Sequence, residues 1–392
     1  MQIIDIRAAT IPISRYLDPS IPSGGLTTSM VAVITDVIRA GKPVVGFGFS
    51  SIGRYGQQGL IAERFTPRLL QASFDELADE SGSQLDPLRA WNVMMKGEKP
   101  GGHGERCVAV GTLDMALWDL AAKLADLPLY AYPASRVPGT TPAANVSAYA
   151  GGGYYYAHDD IQQLTNEAKQ ARDLGYTHFK LKSGAATLER DIERIEAVSA
   201  VMRGAHHVAV NAMNSYGPGT AQRAADALAP LGVWWFEDIC DPLDFSTLAS
   251  VARRYDGAIA AGEALFSVAE AKLVDDHGGL RRHQDVLLFD PVHCYGLPGY
   301  LQIVNELGAR GWDRERFWPH GGYLFTLHVA QALELGGTEV NPFCFQPFGG
   351  FADSTLMTEG KVSAPEAPGI GFEARQATRH AFNTLLDDQA IR

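Results

Sequence analysis

The sequence predicts a parallel β/α barrel preceded by a smaller α+β domain. Three observations predict it. The chain opens with β-rich segments that give way to helical periodicity. From about residue 140 onward, strand-like and helix-like segments alternate strictly. Polar residues stand at the ends of the later strands at a nearly constant interval.

The first stretch runs over residues 1–130. Its segments "IIDIRAATIPI", "SMVAVITDVI" and "KPVVGFGFS" read as an antiparallel meander. Helical patterns follow in "LIAERFTPRLLQASFDELADE", "DPLRAWNVMM" and "GTLDMALWDLAAKLADL". The Pro-rich connection "YAYPASRVPGTTP" (130–142) marks a domain boundary. Over 140–345 strands are predicted near 145–150, 177–182, 206–212, 233–237, 258–262, 285–290, 316–320 and 340–345, with helix-like segments in each gap. Eight strands with seven intervening helices match a barrel; a doubly wound sheet is the alternative, and it does not need so many units of near-equal length. The tail, 346–392, is Gly/Pro-rich at its start and shows no clear helix; it is expected to leave the barrel and pack on the first domain.

The chain has 392 residues, of which 46% are hydrophobic, enough for two domains with full cores. Its net charge of −12 without a basic run argues against nucleic acid or an anionic membrane as partner. The N-terminus lacks a signal-peptide pattern and no run of about 18 apolar residues occurs, so neither secretion nor a membrane span is expected. The cysteines Cys107, Cys240, Cys294 and Cys344 form no C-x-x-C pair, which argues against structural zinc and suits a reducing cytoplasm.

In a barrel the C-terminal strand ends form the active face. Reading those ends gives Lys180 and Lys182, then Asn211, Glu237 with Asp238, Glu263, Asp290 and His320. From Lys182 onward the intervals are 29, 26, 26, 27 and 30 residues, which is the β/α period, so the groups are expected to share one ring. Singly, each has a plainer reading: a strand-end carboxylate often caps a helix, a lone His satisfies backbone, and two lysines suit a wet edge. Parallel barrel strands have no wet edge, and the phase of six positions argues for a site. Asn211, Glu237 and Glu263 offer hard oxygen donors suited to Mg²⁺. Asp290 is placed to hold the second nitrogen of His320. Lys180 and Lys182 lie on one face of a strand, roughly 7 Å apart. At an effective dielectric of about 20 their repulsion is roughly 2.4 kcal/mol, which favours a proton-free Lys182 as general base and leaves Lys180 to pair with a substrate carboxylate.

These residues resemble the enolase superfamily, mandelate racemase/muconate lactonizing branch. The motifs are "KLK" (180–182), "WFED" around Glu237, "AAGEALFS" around Glu263, "FDP" at Asp290 and "PHGG" around His320, with "GTLDMALWDLAAKLADLPLY" in the first domain. The resemblance implies a (β/α)7β modified TIM barrel under an α+β capping domain, Mg²⁺ as cofactor and an oligomer of identical subunits. "GRYGQ", "NVMMKGEKPGGHGER", "GGYYY", "DPLDF" and "QPFGGF" are most similar to the D-tartrate dehydratase members. That implies a hydro-lyase acting on an acid sugar or hydroxy diacid. Lys182 would remove the proton α to the carboxylate, His320 with Asp290 would protonate the leaving β-hydroxyl, and the enol would become a 2-keto acid.

Two stretches depart from the pattern. The family's third-strand ligand is an Asp, whereas this chain has Asn211 in "VNAMN", which removes one negative charge and is expected to weaken metal affinity. The segment "SRYLDPSIPSGGLTTS" (14–29), expected over the barrel mouth, is unlike the tartrate members. For the far end of a diacid, Arg54, Lys99 and Arg106 are candidate cations, with His103 as a hydrogen-bond partner and Tyr155 as a pocket wall; each has an alternative as a surface or packing residue. Two other readings stay open: a racemase or epimerase using Lys182 and His320 on opposite faces, and a catalytically impaired acid-binding homologue.

Overall fold

The computed structural model describes residues 1–134, 141–352, 355 and 357–387. Part of the Pro-rich boundary segment, 135–140, lies outside the described residues.

Three antiparallel strands open the chain: β1 (Ile3–Pro12), β2 (Thr27–Arg39) and β3 (Lys42–Phe49), in the order β1-β2-β3. β2 reads as an apolar run because both faces of the sheet are covered. On one face lies the helix Glu105–Leu124, so close that a Cβ on Gly46 would fall 2.1 Å from the Ala116 carbonyl oxygen. On the other face Phe47 stacks on Phe382 at 4.5 Å. Phe382 belongs to the helix Gln376–Asp387, so the C-terminal segment returns to the N-terminal sheet.

The tail therefore differs from its expected helix-free form. Its helix begins just beyond the Gly/Pro-rich stretch and buries Thr378, Phe382 and Leu385, a 4-then-3 spacing that turns one face to the sheet. Before it, β11 (Lys361–Val362) pairs antiparallel with the first barrel strand.

The barrel strands are β4 (Val146–Gly151), β5 (Phe179–Lys182), β6 (Val208–Asn211), β7 (Trp235–Glu237), β8 (Ile259–Ala261), β9 (Val286–Leu287) and β10 (Thr338–Val340). All are parallel, in the order β10-β4-β5-β6-β7-β8-β9. The strand predicted at 316–320 is reduced to a bridge between Leu287 and Phe317. Pro319 has no N–H to continue a ladder. The segment still closes the ring, because Trp318 N–H donates to the Leu287 carbonyl (2.9 Å) and Glu339 N–H to the Pro319 carbonyl (3.4 Å). The strand predicted at 340–345 instead ends at Val340, one residue before Asn341-Pro342.

The two parts meet at the active face. Gly111, inside the helix Glu105–Leu124, lies so near the loop after β9 that a Cβ would fall 1.9 Å from the Val292 carbonyl oxygen. The Val292 N–H in turn donates to Asp290 Oδ1 at 2.7 Å, so this close approach fixes the loop that carries Asp290. The four cysteines are free and buried. Among the described residues no helix is long and apolar enough to cross a membrane.

Candidate active site

Strand register gathers the first members of the site. Lys182 pairs with Asn211, and Asn211 with Glu237, so three side chains stand in one row across β5, β6 and β7. Lys180 sits one pleat lower on the same face of β5. Glu263, Asp290 and His320 follow from the loops beyond β8, from the loop beyond β9 and from the 316–320 segment.

Lys180 is fully buried, with its Nζ 2.6 Å from Glu237 Oε1 and 3.0 Å from Glu339 Oε1. Burial alone would favour the neutral amine; Glu237 and Glu339 overcome it and hold Lys180 a cation, well above the usual lysine range. The charge of Lys180 is thus spent on two carboxylates. It is not the free neighbour that the repulsion argument for Lys182 assumed, nor a free partner for a substrate carboxylate. Lys182 Nζ stands 5.4 Å from the Tyr154 ring centre. Its backbone is clamped: Lys182 N–H donates to the Gly153 carbonyl (3.1 Å), and its own carbonyl accepts from the buried guanidinium of Arg194 (2.5 Å).

Opposite, Asp290 is fully buried and its Oδ2 lies 2.9 Å from His320 Nδ1 and accepts from Ser51 Oγ at 2.6 Å. The other face of His320 looks toward Glu263, Nε2 to Oε2 at 3.7 Å. Burial would lower the basicity of His320, but Glu263 and the Asp290 hydrogen bond raise it to about 9. In protein freed of divalent cations this raised value stabilises the fold. The contribution is full below about 6.5, the ordinary histidine value, and is lost as pH rises through about 9. The difference in urea midpoint between the native chain and His320→Asn should therefore narrow above pH ~9; a difference independent of pH would contradict the pairing.

A second cluster joins Glu237, Asp238 and Glu263, whose nearest carboxylate oxygens all lie within 4.8 Å of one another. Glu263 Oε2 is buried without a hydrogen-bond partner. Burial and the neighbouring Glu263 and Glu237 push Asp238 well above the carboxylate range. An all-oxygen set, crowded with negative charge and holding an unmatched acceptor, fits a hard divalent cation. Asn211 stands at the edge of this cluster with its amide nitrogen toward the acids, 2.5 Å from Glu237 Oε1 and 3.2 Å from Asp238 Oδ2.

The substrate-contact candidates divide. Arg54 reaches the rim: its guanidinium lies 4.5 Å over Phe266, whose ring is 5.6 Å from His293, itself 5.7 Å from His320. Lys99, His103 and Arg106 do not join the ring; they line a separate cavity of about 260 Å³ beside Trp91 and Tyr295. Arg106 is bound to Glu98 (3.3 Å) and the Tyr295 hydroxyl (2.7 Å), and His103 Nδ1 lies 3.1 Å from the same hydroxyl. Tyr155 is also a correction. Its hydroxyl donates to Asp191 at 2.5 Å and its ring packs on Arg194, so it faces away, and Tyr154 takes the pocket position. Segment 14–29 covers the mouth, with Tyr16 donating to the Tyr155 carbonyl and Arg15 lying 5.9 Å over Tyr154.

Sequence reading missed Glu339, His293 and Ser51. Glu339 lies only 19 residues past His320, off the 26–30 interval, because the connections on both sides of the helix Leu324–Ala332 are short: the helix starts four residues after His320, and Glu339 follows its end by seven. "TEVNP" carries it on a strand, and that was the available signal. His293, buried with Nε2 unpartnered, follows "FDP" by two residues. Ser51 comes from the first domain, 239 positions from Asp290, and nothing local announces it.

Residues 163–378 match the model of the enolase C-terminal domain-like family. Arabinonate dehydratase of Saccharolobus solfataricus is 27% identical over 90% of each chain. L-talarate/galactarate dehydratase of Salmonella typhimurium is 25% identical over 89% of this chain and 82% of its own. Among solved structures, L-talarate dehydratase of Polaromonas sp. JS666, in complex with Mg and L-glucarate, superposes with a TM-score of 0.72 at 25% identity, covering 93% of this chain and 92% of that one. The strand-end ring, the capping sheet and the family match agree: the chain belongs to the enolase C-terminal domain-like family, in its mandelate racemase/muconate lactonizing branch.

Proposed function

We propose that the protein is a Mg²⁺-dependent hydro-lyase that dehydrates an acid sugar to a 2-keto acid, with a tartrate-like hydroxy diacid as the finer reading. The observation that carries it is the meeting of three groups on one barrel face: the amine Lys182, the His320–Asp290 pair and the carboxylate cluster of Glu237 and Glu263. The dehydratase relatives support the reaction class. Mg²⁺ would be held by Glu237 and Glu263 and would supply Lewis-acid polarisation of the substrate carboxylate.

The chain's own groups do the proton work. Lys182, in its amine form, takes the proton from the carbon next to the carboxylate. His320 gives the proton on Nε2 to the departing β-hydroxyl, which leaves as water; Asp290 accepts from Nδ1–H, so it stabilises the charged ring beforehand and leaves the Nε2 proton as the one given up. The ion pairs of Lys180 with Glu237 and Glu339 hold the floor of the site in place. The capping segment 14–29, which packs Leu26 in one cluster with Phe345 and Tyr154 and sets Arg15 over the Tyr154 ring, would limit the access of bulk water to the reacting carbon.

The test is a product assay with Mg²⁺ and a panel of aldonates, aldarates and tartrates. A 2-keto acid, trapped as its semicarbazone, is the expected result. Inverted substrate without keto acid would replace the proposal by a racemase, and no exchange of the α-hydrogen with deuterium oxide for any acid would leave an acid-binding homologue.

A further inference from the structure

We infer that Asp238 is the third carboxylate holding the cation, beside Glu237 and Glu263, and that Asn211 is a positioning residue rather than a ligand. The inference rests on the metal-dependent reading above.

Asn211 has one oxygen, and that oxygen is taken: Oδ1 accepts the N–H of Met213 at 2.6 Å. The bond closes the turn after β6, where Met213 (φ 52°) and Asn214 (φ 56°) both adopt left-handed backbone. What Asn211 turns to the acids is the amide NH₂, a donor with no lone pair for a cation. Reversing the amide would set NH₂ against the Met213 N–H and the carbonyl oxygen against two carboxylates, so the local groups dictate the orientation. An aspartate at this position has two oxygens, one for the turn and one for a cation; an asparagine cannot serve both.

Asp238 makes up the deficit through its backbone. Adjacent residues on a strand point to opposite faces, so an extended Asp238 would face away from Glu237. Instead Asp238 has φ 48°, which breaks the alternation and brings its carboxylate into the cluster with Glu237 and Glu263. That conformation is strained for a non-glycine residue and persists only where the surroundings hold it. Here its N–H donates to the Ala260 carbonyl (3.1 Å) and its carbonyl accepts from Asn214 N–H (2.7 Å). The left-handed turn after β6 is therefore bonded to the left-handed residue after β7. The site keeps three carboxylates despite the asparagine.

Mn²⁺ titration of the full chain, stripped with a chelator and read by electron paramagnetic resonance without substrate, tests this. Asp238→Asn, chosen because asparagine tolerates left-handed backbone, should weaken Mn²⁺ binding by at least about 10-fold, and Asn211→Ala by less than about 3-fold. Equal affinity in Asp238→Asn and the native chain overturns the assignment. If Asp238→Asn fails to fold, Asn211→Ala decides alone: a loss of about 10-fold or more there makes Asn211 the ligand. A native chain that binds no Mn²⁺ at millimolar concentration overturns the metal-dependent reading itself, an outcome distinct from the others.

Discussion

Lys182→Met should lower turnover by about 10²- to 10⁴-fold, the usual worth of a positioned general base, while leaving the fold intact. The substitution removes only the amine. The Lys182 backbone stays clamped between the Gly153 carbonyl and Arg194, and methionine has a similar length beside Tyr154. Loss of α-hydrogen exchange with deuterium oxide should accompany the loss of turnover, because both begin with the same proton transfer. His320→Asn should separate the two: deuterium continues to enter the substrate while keto acid formation stops. Turnover within about 10-fold of the native rate in Lys182→Met would show that another group takes the proton.

Lys180→Met should destabilise the chain by about 3–5 kcal/mol, because it strands buried carboxylates without their cation. Glu237 is fully buried and Glu339 is 3% exposed, and both lie within 3.0 Å of the Lys180 amine. Burial would raise Glu339, but Lys180 and His320 hold it below the usual glutamate range. A carboxylate held low in the folded state adds stability that is present above its unfolded value and lost as pH falls. The penalty of Lys180→Met should therefore shrink on acidification toward pH ~4, and Glu339→Gln should return part of it in the double variant. Urea unfolding with divalent cations chelated reads both effects. A penalty under about 1 kcal/mol at neutral pH would mean that the two ion pairs do not form.

Much of the barrel was legible because its signals are local and periodic. A strand end recurs each time a β/α unit closes, so Lys182, Asn211, Glu237, Glu263, Asp290 and His320 could be found by counting. Glu339 escaped the count because short connections around one helix broke the interval. The seventh strand was overstated, since alternation suggests a ladder that Pro319 cannot complete. Lys99, His103 and Arg106 looked like anion contacts from charge alone, but their partners Glu98 and Tyr295 give them a cavity of their own.

The sequence by itself determined the fold class, the order of the polar strand ends and the chemistry that an amine, an imidazole and carboxylates imply, because periodicity and residue type are properties of the chain. Only the tertiary structure decided which neighbour each group meets. It gave Lys180 to Glu237 and Glu339, set Ser51 on Asp290, turned the Asn211 amide toward the acids and swung Asp238 in beside Glu263. The physical reason is that charge and hydrogen bonding act across a few ångströms of space, and the partners here lie 25 to 239 residues apart along the chain.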